Sequence, residues 1–339
     1  MFRTPAVMAA VVLLAASPAC SGGGSARARP AAGRSTTTGA PGGRSTTTTS
    51  RRRDTGVAPA AVAPAGWQLP EALDREVVLA DGTGLLVLGG RNAAKVSTAA
   101  VRRLDATTGR VAGSGTLAVA VHDAAGASLG GSHFVFGGGN SSTVAAVQQD
   151  TNDGARVTGR LPQPRSDLVA AVHGGRVYLA GGYDGAHDVA AVLATTDGTT
   201  FTTTGSLAQL VRYPAMASAY GALWVIGGET RSGDTAVIQR IDPSTGAVTV
   251  AAHYPDTISH EGVVVLGGRV YVIGGRVGGA ISDHVVELDP RTGAATVVAH
   301  LPAPLSDMGV AVVGDAAYVV GGESAASAPT SGVSVLRAG

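Results

Sequence analysis

The stretch GGRVYVIGGRVGG, residues 267–279, decides the fold. Gly267-Gly268 supplies a tight turn, Val270 to Ile273 form a short β-branched and aromatic run, and Gly274-Gly275 end it. That order predicts the second strand of a hairpin. The same phrase recurs along the chain. Apolar runs end at Gly89-Gly90, Gly137-Gly138, Gly181-Gly182, Gly227-Gly228, Gly274-Gly275 and Gly321-Gly322, so successive first glycines lie 48, 44, 46, 47 and 47 residues apart.

A period of that length, with several short strands per unit, predicts one repeat architecture rather than separate domains. From 14 residues before each glycine pair up to the pair, all six units align without a gap. Each then continues through a variable loop to a third run, such as TAVIQRID (235–242) or HVVELD (284–289). A turn follows, Asp242-Pro243-Ser244-Thr245-Gly246 or Asp289-Pro290-Arg291-Thr292-Gly293, and then a fourth run. The expected fold is all-β: a six-bladed β-propeller with four antiparallel strands per blade. The sixth unit supplies only three strands. Its outer strand is expected from Gly66-Trp67-Gln68-Leu69-Pro70 near the N-terminus, which would remove an open sheet edge.

The apolar run plus Gly-Gly, clearest in GGRVYLAGGYDG (174–185) and GGRVYVIGGRVGG, resembles the kelch repeat over roughly residues 66 to 339. The resemblance implies a propeller that binds ligands or proteins at one mouth of its channel. It also raises an enzymatic alternative, since bacterial sialic-acid epimerases are exported kelch propellers. Galactose oxidases share the fold, but their cofactor joins a Cys to a Tyr, and Cys20 is the only cysteine here.

The N-terminal region reads differently. Arg3, the apolar run Ala6 to Ala16 and the small residue Ala19 before Cys20 predict a signal peptide over 1–20, with the Cys20 thiol as a candidate lipidation site. Residues 21–65, rich in Gly, Ser, Thr, Arg and Pro, predict a disordered tether. An exported protein is expected, lipid-anchored on the outer side of the cell membrane, or extracellular or periplasmic. The net charge of +1 hides a split: residues 1–65 hold eight Arg and one Asp, leaving 17 basic against 23 acidic residues in the propeller. A nucleic-acid partner is not expected from such a domain. Nor is a cofactor or metal, and a monomer is the expected state.

The candidate site follows from the alignment. Fourteen residues before each glycine pair stand Arg75, Asp123, Asp167, Tyr213, His260 and Asp307, all polar or ionisable, at the start of each inner strand. The residues just after the pairs return to the same mouth and include Arg91, Tyr183, Glu229, Arg276 and Glu323. Two readings of this rim stay open. It grips a polar ligand such as a glycan or extended peptide, or its Arg and Asp side chains pair between blades and tie the loops together. A carbohydrate-active enzyme using the same mouth is the alternative to a binding module, but no acid/base pair stands out, so binding is favoured and no catalytic residue is assigned.

Overall fold

The computed structural model describes residues 60–151 and 154–339. Cys20, the leader and most of the expected tether lie outside the described residues. What is described is an all-β propeller. The recurring unit is a four-strand antiparallel meander, as in Val77–Asp81, Gly84–Leu88, Ala100–Asp105 and Val111–Thr116, and short extra strands extend some of the sheets. Equivalent meanders span residues 125–160, 169–206, 215–259 and 262–300. A last sheet orders Gly309–Val313, Ala316–Val320, Thr330–Arg337 and Ala61–Asp74.

Both faces of each sheet are covered, which is why the second strands are continuously apolar rather than alternating. In Gly84–Leu88 the side chains of Leu85 and Val87 pack with Tyr318 and Val320 of the last sheet, while Leu86 and Leu88 pack with Val135 of the second. Successive residues of a strand point to opposite faces, so one short run serves two sheet interfaces. Each such side chain is almost fully buried and stabilises by about 1.5–3 kcal/mol.

The glycine pairs are the joints between neighbouring sheets. Gly90 N–H donates to the Val121 carbonyl at 2.9 Å, and a Cβ on Gly89 would lie 2.5 Å from that same oxygen. All twelve of these glycines have positive φ. Only glycine permits both the backbone conformation and the close approach. The contact repeats through Gly138 to Arg165, Gly182 to Val211, Gly228 to Ile258, Gly275 to Leu305 and Gly322 to Leu73, each at 2.8 or 2.9 Å.

The strand Ala61–Asp74 corrects the expected tether boundary. It runs antiparallel to Thr330–Arg337 from Ala61 opposite Arg337 to Leu73 opposite Thr330, with irregularities between Pro64, Gln68 and Leu73. Residues 61–65 are therefore sheet, although their Ala and Pro content resembles a linker. Their backbone is paired, and Val62 and Ala65 pack against the core. Trp67 donates from Nε1 to the Ala106 carbonyl at 3.1 Å and covers Gly109, linking this strand to the outer turn of the first sheet.

Candidate functional site

The six aligned polar residues meet in a ring at one mouth of the channel. Each has positive φ, between 49 and 58°. In that conformation each residue presents its N–H to one neighbour and its carbonyl to the next. Arg75 donates to Asp307, Asp123 to Arg75, Asp167 to Asp123, Tyr213 to Asp167, His260 to Tyr213 and Asp307 to His260, at 2.8–3.2 Å. The cycle closes on itself. Left-handed backbone at a non-glycine residue costs roughly 1–2 kcal/mol, and here the ring of hydrogen bonds over-determines it.

The side chains pair largely within the ring. Arg75 reaches Asp123 Oδ2 at 3.0 Å, Asp307 Oδ1 at 3.4 Å and the Tyr213 hydroxyl at 3.4 Å. His260 Nδ1 lies 2.6 Å from Asp307 Oδ1, and its ring stacks on Tyr213 at 4.1 Å. Arg212 donates from Nε to Asp167 at 2.6 Å and lies over both Tyr183 and Tyr213. Burial opposes the Arg75 charge, but Asp123 and Asp307 outweigh it and its pKa ends raised. Burial pushes the Tyr213 hydroxyl and the Asp123 carboxyl upward, with Arg75 opposing in both cases. For Asp307 burial also pushes upward, yet the His260 hydrogen bond and the nearby cations leave it lowered.

The residues after the glycine pairs form a second, more open row. Arg91 makes a bidentate pair with Asp74 at 2.9 Å and reaches Glu323 at 2.9 Å, while Arg276 approaches Glu323 at 3.5 Å. Glu229 joins Arg212 through the backbone. Tyr183, Glu229 and Arg276 remain partly exposed. All eleven residues expected at the mouth are thus accounted for, five of the inner ring being tied by ion pairs or hydrogen bonds between ring side chains. Buried Asp74 was missed. Its signal is the row one position earlier, where Asp74, His122, Ser166, Arg212, Ser259 and Ser306 are all polar.

The ring leaves an opening of only about 120 Å³. Beneath it the channel holds about 210 Å³ between the inner strands. Two buried carboxylates, Glu76 and Glu261, border both spaces. Each accepts a backbone N–H from the preceding sheet, Gly309 at 3.3 Å and Ala215 at 3.2 Å, and among the described residues neither Oε2 has a hydrogen-bond partner. Burial pushes both carboxyls up to about 8. An apolar groove of about 470 Å³ beside Trp67 and Pro302 to Pro304 shares no residue with the mouth.

Residues 262–294 match the Kelch motif family model, which supports a kelch-repeat family for this chain. No curated protein matches in sequence. Among solved structures, the one titled "Structure of YjhT" is similar over 79% of this chain and 96% of its own, with a TM-score of 0.66 and 15% identity. That likeness is one of fold.

Proposed function

We propose that this chain is a kelch propeller of six blades, closed by the pairing of Ala61–Asp74 with Thr330–Arg337, that acts as a ligand- or protein-binding module. The six-membered hydrogen-bond cycle and the strand register support the blade count and the closure. The observation that carries the binding role is the contrast between the two rows at the mouth. The inner ring is internally paired around an opening of about 120 Å³, whereas Tyr183, Arg212, Glu229 and Arg276 keep exposed surface around it.

Sites that engulf a small molecule usually measure about 300–1,000 Å³. The ligand therefore lies across the mouth rather than inside it. Arg276 and Arg212 suit carboxylates, and Tyr183 offers a flat face to a sugar or peptide. Arg75 is a brace rather than a contact. Removing it would leave Asp123 and Asp307 buried without their cation, at a cost of about 3–5 kcal/mol.

Binding is tested by screening the protein against glycans and cell-wall fragments. For any hit, Tyr183→Ala with Arg276→Ala is expected to weaken binding roughly tenfold or more, at about 1.4 kcal/mol per decade. Asp315→Ala on the opposite, hairpin-turn face is expected to change nothing. Loss of affinity on the turn face with retention at the mouth overturns the site, and conversion of a hit into product replaces the binding role with a carbohydrate-active enzyme. The module is further proposed to be exported and lipid-anchored through Cys20. Cys20→Ser should then leave the membrane fraction with its fold intact, and unchanged membrane association refutes the anchor.

A further inference from the structure

The outer edge of the fifth sheet carries a cluster that the mouth does not use. His284 and His300 stand directly opposite each other where His284–Asp289 pairs with Ala294–His300. Their rings meet edge to face at 5.1 Å. Asp283 precedes the first of them, and its two oxygens divide between the imidazoles: Oδ2 lies 3.1 Å from His300 Nδ1 and Oδ1 lies 3.8 Å from His284 Nε2. One donor atom from each of the three residues lies within 4.8 Å of the other two.

We propose that Asp283, His284 and His300 form a site for a borderline divalent metal ion, with zinc as the fitting case. Two imidazole nitrogens and one carboxylate oxygen are a donor set suited to Zn²⁺, whereas Mg²⁺ and Ca²⁺ favour oxygen alone. Tetrahedral ligands about 2.0–2.1 Å from zinc lie about 3.4 Å from one another. The 3.1 and 3.8 Å separations are to different oxygens of Asp283, and one ligand atom from each residue lies within 4.8 Å of the other two, so side-chain rotation has to draw one oxygen and two nitrogens in to that spacing.

The backbone beneath is already fixed. Leu301 N–H donates to the Asp283 carbonyl at 2.7 Å, Leu305 N–H to the Ser282 carbonyl at 3.1 Å, and His284 N–H to Ser282 Oγ at 3.0 Å. The three side chains are partly exposed, which gives the ion an entry path and leaves its remaining coordination position to water or to an external donor. Such an ion would pin the ends of the two outer strands together.

The test is calorimetric titration of the full chain with zinc chloride, followed by thermal unfolding with and without the metal. One equivalent should bind, unaffected by excess magnesium chloride, and should raise the melting temperature by mass action. His284→Ala and His300→Ala should each weaken this binding by roughly tenfold or more and abolish the thermal shift, with circular dichroism unchanged. His253→Ala, on another sheet, should bind as the parent does. Cobalt substitution should give tetrahedral visible bands that disappear in His300→Ala. Failure to bind one equivalent, or its retention in both histidine variants, overturns the proposal.

Discussion

At the scale of single residues, the buried glutamates make a pH dependence that the surface does not. Glu76 and Glu261 each hold one oxygen against a backbone N–H and leave the other unpartnered among the described residues, and burial raises both carboxyls to about 8. In the unfolded chain a glutamate ionises near 4.3. Between those values the native state binds more protons than the unfolded state, so stability falls as pH rises from about 4.5 to about 8. Below about 4.5 both states are protonated and the penalty vanishes. Neighbouring acids act in the same sense, Asp74 and Asp307 on Glu76, and Asp234 and Asp307 on Glu261. Glu76→Gln with Glu261→Gln keeps an acceptor for each N–H and removes the ionisation. Melting temperature measured from pH 4 to pH 9 should therefore decline for the parent and decline less steeply for the double variant, whose remaining slope comes from the raised Asp123 carboxyl, with a gain of about 1–3 kcal/mol at pH 8. Parallel curves would show that these carboxyls ionise freely in the folded state. In sequence each of the two glutamates directly follows a mouth residue, Arg75 or His260, and nothing in a single chain distinguishes a side chain turned into the sheet interface from one turned to the mouth.

At the scale of the element, the repeated strand and its glycine pair were fully legible, and the reason is physical. A strand covered on both faces must be apolar at every position, and a joint that brings backbone to within hydrogen-bonding distance of the next sheet admits no Cβ. Both demands leave marks that survive in one sequence: Leu85 to Leu88 before Gly89-Gly90, Val270 to Ile273 before Gly274-Gly275. The outer strands carry weaker marks. Ala294–His300 has one face on its neighbours and one toward solvent, so its composition is small, mixed and easily confused with loop. Ala61–Asp74 was only half visible for the same reason, since Trp67 and Leu69 announced a strand while Ala61 to Ala65 did not. The left-handed backbone of the mouth residues was invisible. Asp123, Asp167, His260 and Asp307 are residue types that tolerate it, but Arg75 and Tyr213 adopt it only because the hydrogen-bond cycle requires it. The pairing of His284 with His300 depends on strand register, which the spacing of two histidines 16 residues apart does not reveal.

At the scale of the whole molecule, the order of contacts around the ring makes one strand decisive. Every neighbouring pair of sheets is joined by a glycine N–H and a ring hydrogen bond, and for the last sheet both partners, Leu73 and Arg75, lie at or just beyond the end of Ala61–Asp74. The same strand covers the edge of Thr330–Arg337 from Ala61 to Leu73 and buries Leu69 and Leu73 between the last sheet and the first. Its loss would expose an unpaired edge rich in β-branched residues and uncover an interface to water. A deletion of residues 1–59 leaves the strand whole, whereas a deletion of 1–72 removes Trp67, Leu69 and every pairing with Thr330–Arg337 from Ala61 to Gln68, while sparing Leu73 and Arg75. Losing the burial of Leu69 and much of Trp67 alone forfeits about 1.5–3 kcal/mol per side chain, which for a domain of this size corresponds to roughly 10 °C or more once the unpaired edge is included. The longer deletion should accordingly melt well below the shorter one, or aggregate at concentrations where the shorter stays monodisperse by light scattering. Equal melting temperatures would show that the ring does not depend on this strand for its closure, and the proposed joining of the N-terminal strand to the last sheet would fall with them.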